Sequence, residues 1–388
     1  MSFAASWWSA LTPTRFRRAK TEQRVEVNAL HLGAGAPRAL LAFALGLALL
    51  TVTSAASATS DARAASDPDL FWGSFAVEHG SWTLVTENDK YFAGTDRHYT
   101  NGFKFIWLGE TTLHRSREFL KRVANTIPTL RGIEAQQRYK VGLALGQEIF
   151  TPTDIATPTL LPNDRPYAGW LYASMMAQAQ ERDGSLLRVV EVSLGVVGPS
   201  ALGEAAQNGW HDVIHVPHAE GWANQLHDEP GLMLSWERRY RLYTITVGPD
   251  HILDVIGRAR LTLGNVHTHL ATGFMVRAGW NLPHDFGTDL IRPAGGGMAN
   301  AGRARTFGAY TYLSAEGRAV ARNIFLDGNT WRSSHSVSKL PFMGDVSAGF
   351  VLAWPRFQLT YTQDYRSKEF RTQQHRDVFG SIALTTYY

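Results

Sequence analysis

From about residue 75 onward, apolar positions alternate with polar or small ones over stretches of roughly ten residues. The segments 103–108, 140–146, 188–197, 232–247, 259–265, 272–280, 305–315, 346–354, 358–365 and 378–387 are of this kind. Period-two alternation rich in Val, Tyr, Phe, Trp and Thr reads as strand, and the Gly, Pro, Asn and Asp clusters between segments read as turns. Counted from Phe71, about a dozen strands are expected. Two stretches have helical spacing instead. One is 115–127, with Phe119, Leu120, Val123 and Ile127 on one face, and the other is 201–214, after a Pro-Ser start.

So many strands suit either a soluble sandwich or propeller, or a membrane barrel. Several segments are long enough to cross a bilayer at a tilt. Aromatic residues recur near segment ends (Trp107, Trp170, Tyr172, Trp280, Trp354, Tyr387), where an interfacial girdle would place them. The expected fold is all-β: a transmembrane antiparallel β-barrel of about 12 strands with short helical excursions in its loops. A barrel satisfies every backbone group without water, which an open sheet in lipid cannot do.

Residues 39–52 form an uncharged apolar run behind Arg38, followed by small residues at 54–58 and 62–65. The run is shorter than the ~20 residues a spanning helix needs, so it reads as a secretory signal rather than an anchor. The expected organisation is a leader over 1–65, cleaved near 58–65, and one barrel domain over 66–388. Charge follows the same division. The 388 residues carry a formal net charge of +4, and 1–65 accounts for all of it with seven basic and three acidic residues. The remainder is formally neutral, so no nucleic-acid partner is expected. The absence of cysteine excludes a disulfide scaffold, a thiol nucleophile and thiolate-bound metals.

Four polar clusters interrupt the apolar pattern: Thr86 to Lys90, Thr95 to Gly102, Asn163 to Trp170 with Gln147 and Glu148 before it, and Asn208 to His211. Taken singly, each has a plain explanation as a turn, a lumen ion pair or a satisfied interior histidine. Together they supply hard oxygen ligands for calcium and a base that works near neutral pH. His211, His215 and His218 suggest zinc only weakly, because no glutamate completes the motif and Pro217 should end the helix before His218. No Gly-x-Ser-x-Gly turn supports a serine hydrolase.

In order along the chain, Glu87-Asn88-Asp89, Thr95-Asp96-Arg97 with Tyr99-Thr100-Asn101-Gly102, and Gln147 through Pro152 resemble the lipid A 3′-O-deacylase family of the Gram-negative outer membrane. The resemblance continues through Asp164 to Trp170, Gly195 to Pro199, Asn208 to His211, and Gly221-Trp222 with Asn224-Gln225-Leu226. It implies a 12-stranded barrel that acts as a calcium-dependent esterase on the 3′-linked acyloxyacyl chain of lipid A in lipopolysaccharide. The family's catalytic histidine corresponds to His211, its Asn-Asp pair to Asn88 and Asp89, and its threonine after Tyr to Thr100. The resemblance makes His211 the base, Asp89 a Ca²⁺ ligand, Asn88 an orienting amide and Thr100 part of the pocket, on the outer wall of a monomeric barrel. Two positions depart from the family. The loop at 153–159 lacks the family's lysine, and Pro217 stands where an acidic group can occur. The alternatives are a non-enzymatic outer-membrane porin or structural β-barrel, and a secreted soluble β-sandwich hydrolase.

Overall fold

A computed structural model of the chain describes residues 77–91, 98–111, 137–248, 250–288, 291 and 303–388. Residues 1–65, expected to be a leader, the 115–127 segment and Thr95, Asp96 and Arg97 lie outside these residues. Among the described residues, twelve antiparallel strands close into a barrel. They are β1 (Val77–Asn88), β2 (His98–Thr111), β3 (Gln137–Thr151), β4 (Ala168–Glu181), β5 (Leu186–Val197) and β6 (Glu229–Val247). The circuit continues through β7 (Asp250–Gly264), β8 (His267–Trp280), β9 (Gly308–Asn323), β10 (Phe342–Ala353), β11 (Phe357–Arg366) and β12 (Asp377–Tyr387). β1 joins β12 from Ser81↔Tyr387 to Asn88↔Gly380, so no edge strand remains. No described helix is long and apolar enough to cross a membrane.

The alternation seen in the sequence is that of a barrel in lipid, polar inside and apolar outside. Leu145, Leu194, Leu232, Leu270 and Leu313 face outward and are exposed. On the inner face, hydroxyls pair across strands: Thr83 with Thr385 at 2.8 Å, Ser174 with Ser193 at 2.8 Å, and Ser235 with Thr262 at 2.9 Å. β12 ends at the near rim, with the short connections at 182–185 and 354–356. Outer-membrane barrels keep short turns on the periplasmic side, so the opposite, far rim lies at the outer leaflet.

Two expectations are corrected. Trp170 and Tyr172 belong to no girdle: they share the inward parity of Ser174 and stack on each other inside the barrel, centroids 5.3 Å apart. The strand expected over 305–315 begins at Gly308 and runs on to Asn323.

The lumen is filled. From the near rim, the connection after β8 turns inward and buries Leu282, Asp285, Phe286 and Ile291. The Ile291 amide donates to Glu87 at 2.6 Å, close to the far rim. Arg277 on β8 is fully buried; it donates to Asp254 on β7 at 2.8 and 2.5 Å and also to Asp285. Above them lies an aromatic plug that includes Tyr99, Phe150, Trp170 and Phe379. The short helix α2 (Ile324–Asp327) caps it, with Phe325 stacked on Phe150 at 4.0 Å.

Candidate functional site

The connection from β5 to β6 returns to the barrel and lies on the outside of its wall. After a 3₁₀ turn at Pro199–Ala201, helix α1 spans Gly203–Ile214, within the region read as helical from sequence. Its buried positions are Gly203, Gln207 and His211, four apart, which places them along one face. That face sits on β3 and β4. A Cβ on Gly169 of β4 would stand 3.0 Å from the Ala201 Cβ and 3.2 Å from the Gly203 amide, so glycine allows the helix start to touch the wall. Gln147 on β3 donates to the Ala201 carbonyl at 2.7 Å. Ala206 packs with Ile149, Tyr167, Ala219 and Trp222, and Trp222 donates to Gln207 at 2.9 Å.

The register places one row across this wall: Asn88 on β1 opposite Asn101 on β2, Asn101 opposite Ile149 on β3, and Ile149 opposite Gly169 on β4. α1 starts over Gly169 and reaches Ile149 with Ala206, so it advances from β4 toward β1. Eight residues separate Gly203 from His211, about 12 Å of helix, against roughly 4.8 Å between neighbouring strands. His211 is therefore carried toward the Asn88–Asn101 end of the row.

Three local devices shape that end. Between Tyr99 and Asn101 the β2–β3 register slips by one residue, so Thr100 is a bulge. A bulge re-aims side chains. Tyr99 turns into the lumen and donates to Glu87 at 2.9 Å, while the Thr100 hydroxyl meets that of Thr151 at 2.7 Å. At the end of β1, the Asn88 side-chain oxygen accepts from the Lys90 amide at 2.7 Å, an Asx turn that fixes the side chain at the strand end. Asp89 follows in the same turn and is buried.

The third device orients the histidine. His215 takes a left-handed conformation (φ 57°) and ends α1, and the chain turns back so that the Pro217 carbonyl lies 2.6 Å from His211 Nδ1. A carbonyl only accepts, so Nδ1 carries the proton and Nε2 is the basic nitrogen of the neutral ring. Asn208 fixes the returning strand by accepting from the Ala219 amide at 2.9 Å and donating to its carbonyl at 3.4 Å. Pro217 thus contributes its main chain, and no side-chain carboxylate is needed to hold the ring. His218 turns to Asp212 at 2.7 Å, and no three His, Asp or Glu side chains among the described residues converge on a metal position.

The rim beside the site is tied down by charge. Arg165 in the β3–β4 loop pairs with buried Glu369 at 3.1 Å. Asp164 accepts from the Thr153 amide at 2.8 Å and lies 3.6 Å from His98. Burial works against ionisation of Asp164, yet hydrogen bonds from His98 and Thr153 outweigh it and hold its carboxyl below the usual carboxylate range.

Of the residues expected from sequence, the structure places Asn88, Asp89 and Thr100 together on adjacent strand ends and His211 on the helix that approaches them. Thr151, the Asn208 clamp and the Pro217 carbonyl were not expected. A carbonyl leaves no mark in a sequence, and Thr151 becomes relevant only through the bulge.

Fold and site together define a transmembrane β-barrel with a histidine-bearing helix applied to its lipid-facing wall. The chain belongs to the LpxR outer membrane protein family, whose pattern it matches over residues 43–388, and it is thereby a protein of the Gram-negative outer membrane. Among solved structures, LpxR from Salmonella typhimurium has the same fold, with a TM-score of 0.65 at 16% identity, covering 79% of this chain and 100% of that one. The β domain of the Bordetella autotransporter BrkA is more distant, with a TM-score of 0.38 at 10% identity over 80% of this chain and 98% of that one. No curated protein matches the chain.

Proposed function

We propose that the chain is an outer-membrane esterase that removes the 3′-linked acyloxyacyl chain of lipid A, with calcium as its cofactor. The observation that carries this reading is His211: its Nδ1–H is committed to the Pro217 carbonyl, on a helix that lies on the outer wall and runs from β4 toward the strand ends that bear Asn88, Asp89 and Thr100. In this reading Nε2 takes a proton from water as the water oxygen attacks the ester carbonyl carbon. When the intermediate collapses, the same proton passes to the departing 3′ oxygen. The Asn88 amide orients the water or the carbonyl, and the Thr100 hydroxyl lines the pocket. An outer-wall site lets the acyl chain remain in lipid throughout.

Calcium fits the donor chemistry in kind. The Asp89 carboxylate and the neutral oxygens around it are hard ligands. When bound, Ca²⁺ supplies charge to polarise the ester carbonyl and to stabilise the oxyanion. The residues that would hold it here are Asp89 and the neutral oxygens beside it. Purified protein acting on lipid A in oxygen-labelled water should release the acid with one labelled oxygen, and only when calcium is supplied. Undiminished release in excess chelator would remove calcium from the reading. No release under any condition would remove the esterase.

A further inference from the structure

Below the site row, the same wall carries an apolar groove of about 510 Å³. Two outward rows form it. Leu145 on β3 stands opposite Ala173 on β4, and Ala173 opposite Leu194 on β5; one step nearer the periplasmic rim come Leu143, Met175 and Val192. Ala173 is therefore a notch between two leucines, with Met175 as the step beneath it. Trp82, Phe105 and Trp107 form the bank on the β1–β2 side; Trp82 stacks on Phe105 at 5.1 Å and leans on Trp107 at 6.3 Å.

We infer that this groove receives the tail of the acyl chain being removed, and that Ala173 and Met175 set the preferred chain length. The inference rests on the esterase reading. Its occupant follows from continuity and depth. Gly169, under the start of α1, lies on the same strand and outward parity as Ala173 and Met175, four and six residues above them. At ~3.3 Å per residue these are about 13 and 20 Å along β4. For a strand tilted by roughly 40°, they lie about 10 and 15 Å below the site. One leaflet is half of a hydrocarbon core about 30 Å thick, so Met175 lies where a chain anchored at the site reaches its end. Since the chain comes from lipid and not from water, selection here works through packing alone, and its size is modest.

The test uses intact protein in mixed micelles with lipid A preparations whose 3′ chains differ in length. Ala173→Leu fills the notch and should lower the rate on the longest chains about three- to tenfold relative to the shortest. Met175→Ala should move the preference toward longer chains. Identical length profiles in wild type and both variants would overturn the proposal. A second measurement works without turnover. Lipid A with a photoreactive group at the 3′ chain end, bound to the His211→Ala protein, should label 143–145, 173–175 and 192–194. Labelling spread evenly around the barrel would refute the groove. A wild type that releases no chain would refute the esterase reading separately.

Discussion

Replacement of His211 by alanine is expected to lower lipid A deacylation by about a thousandfold, the usual worth of a positioned general base, with the barrel still folded. The expectation follows from where the residue sits. α1 is applied to the outside of a closed sheet, so the imidazole supports none of the strand pairing or the lumen network. The sharper variant is His211→Asn. Its side-chain NH₂ can still donate to the Pro217 carbonyl, which His211 Nδ1 now meets at 2.6 Å, and so can keep the helix end seated. It has no nitrogen lone pair to accept a proton. Loss of activity in both variants, with unchanged heat-modifiable migration in gels, separates the base from the clamp. An asparagine variant within threefold of wild type would remove His211 from the chemistry.

Arg277→Ala should have the largest effect on the barrel itself. The guanidinium is buried between Asp254 and Asp285 and lies over the Tyr310 ring at 5.2 Å. Removing it takes the guanidinium from the buried Asp285 carboxylate and leaves a cavity, although the Gly287 amide still donates to that carboxylate at 3.1 Å. Breaking one partner of a buried ion network costs about 3–5 kcal/mol. Arg241 still reaches Asp254, which makes Asp285 the residue most affected. Because Asp285 belongs to the segment that enters the lumen from the near rim, the variant should also loosen that segment, while the aromatic plug above it keeps the lumen closed. In planar bilayers wild type and Arg277→Ala should both be silent, and the variant should unfold at a lower temperature. An equally stable variant would contradict this account of the lumen. A conducting wild type would favour the porin alternative.

Much of the fold was legible from alternation alone, because a barrel in lipid imposes a strict two-residue period on nearly every strand. β4 was the strand that pattern did not reveal. Its sequence AGWLYASMMAQAQE is rich in Ala, Met, Gln and Glu, which favour helix, and only pairing with β3 and β5 makes it a strand. Aromatic position was legible, but its side was not. Trp170 near a segment end suggested an interface, whereas one residue of parity decides between lipid and lumen. The inward course of the β8–β9 connection left no signal, since Asp285 and Phe286 look like ordinary loop residues until Arg277 and Arg239 meet them.

The site divided in the same way. Asn88, Asp89, Thr100 and His211 could be singled out because polar residues interrupt apolar segments there. How they are aimed could not be read. It depends on a one-residue slip between Tyr99 and Asn101, a glycine contact at Gly169, and a carbonyl at Pro217. Pro217 departs from the family by side chain and acts here through its main-chain carbonyl.

If this barrel cuts one ester of lipid A, the mass spectrum of lipid A from a host with hexa-acylated lipid A that expresses the chain should show it. A new species lighter by the 3′ acyloxyacyl group is expected, absent when His211→Ala is expressed to the same folded level. Lipid A of unchanged mass beside a correctly folded wild-type barrel would contradict it.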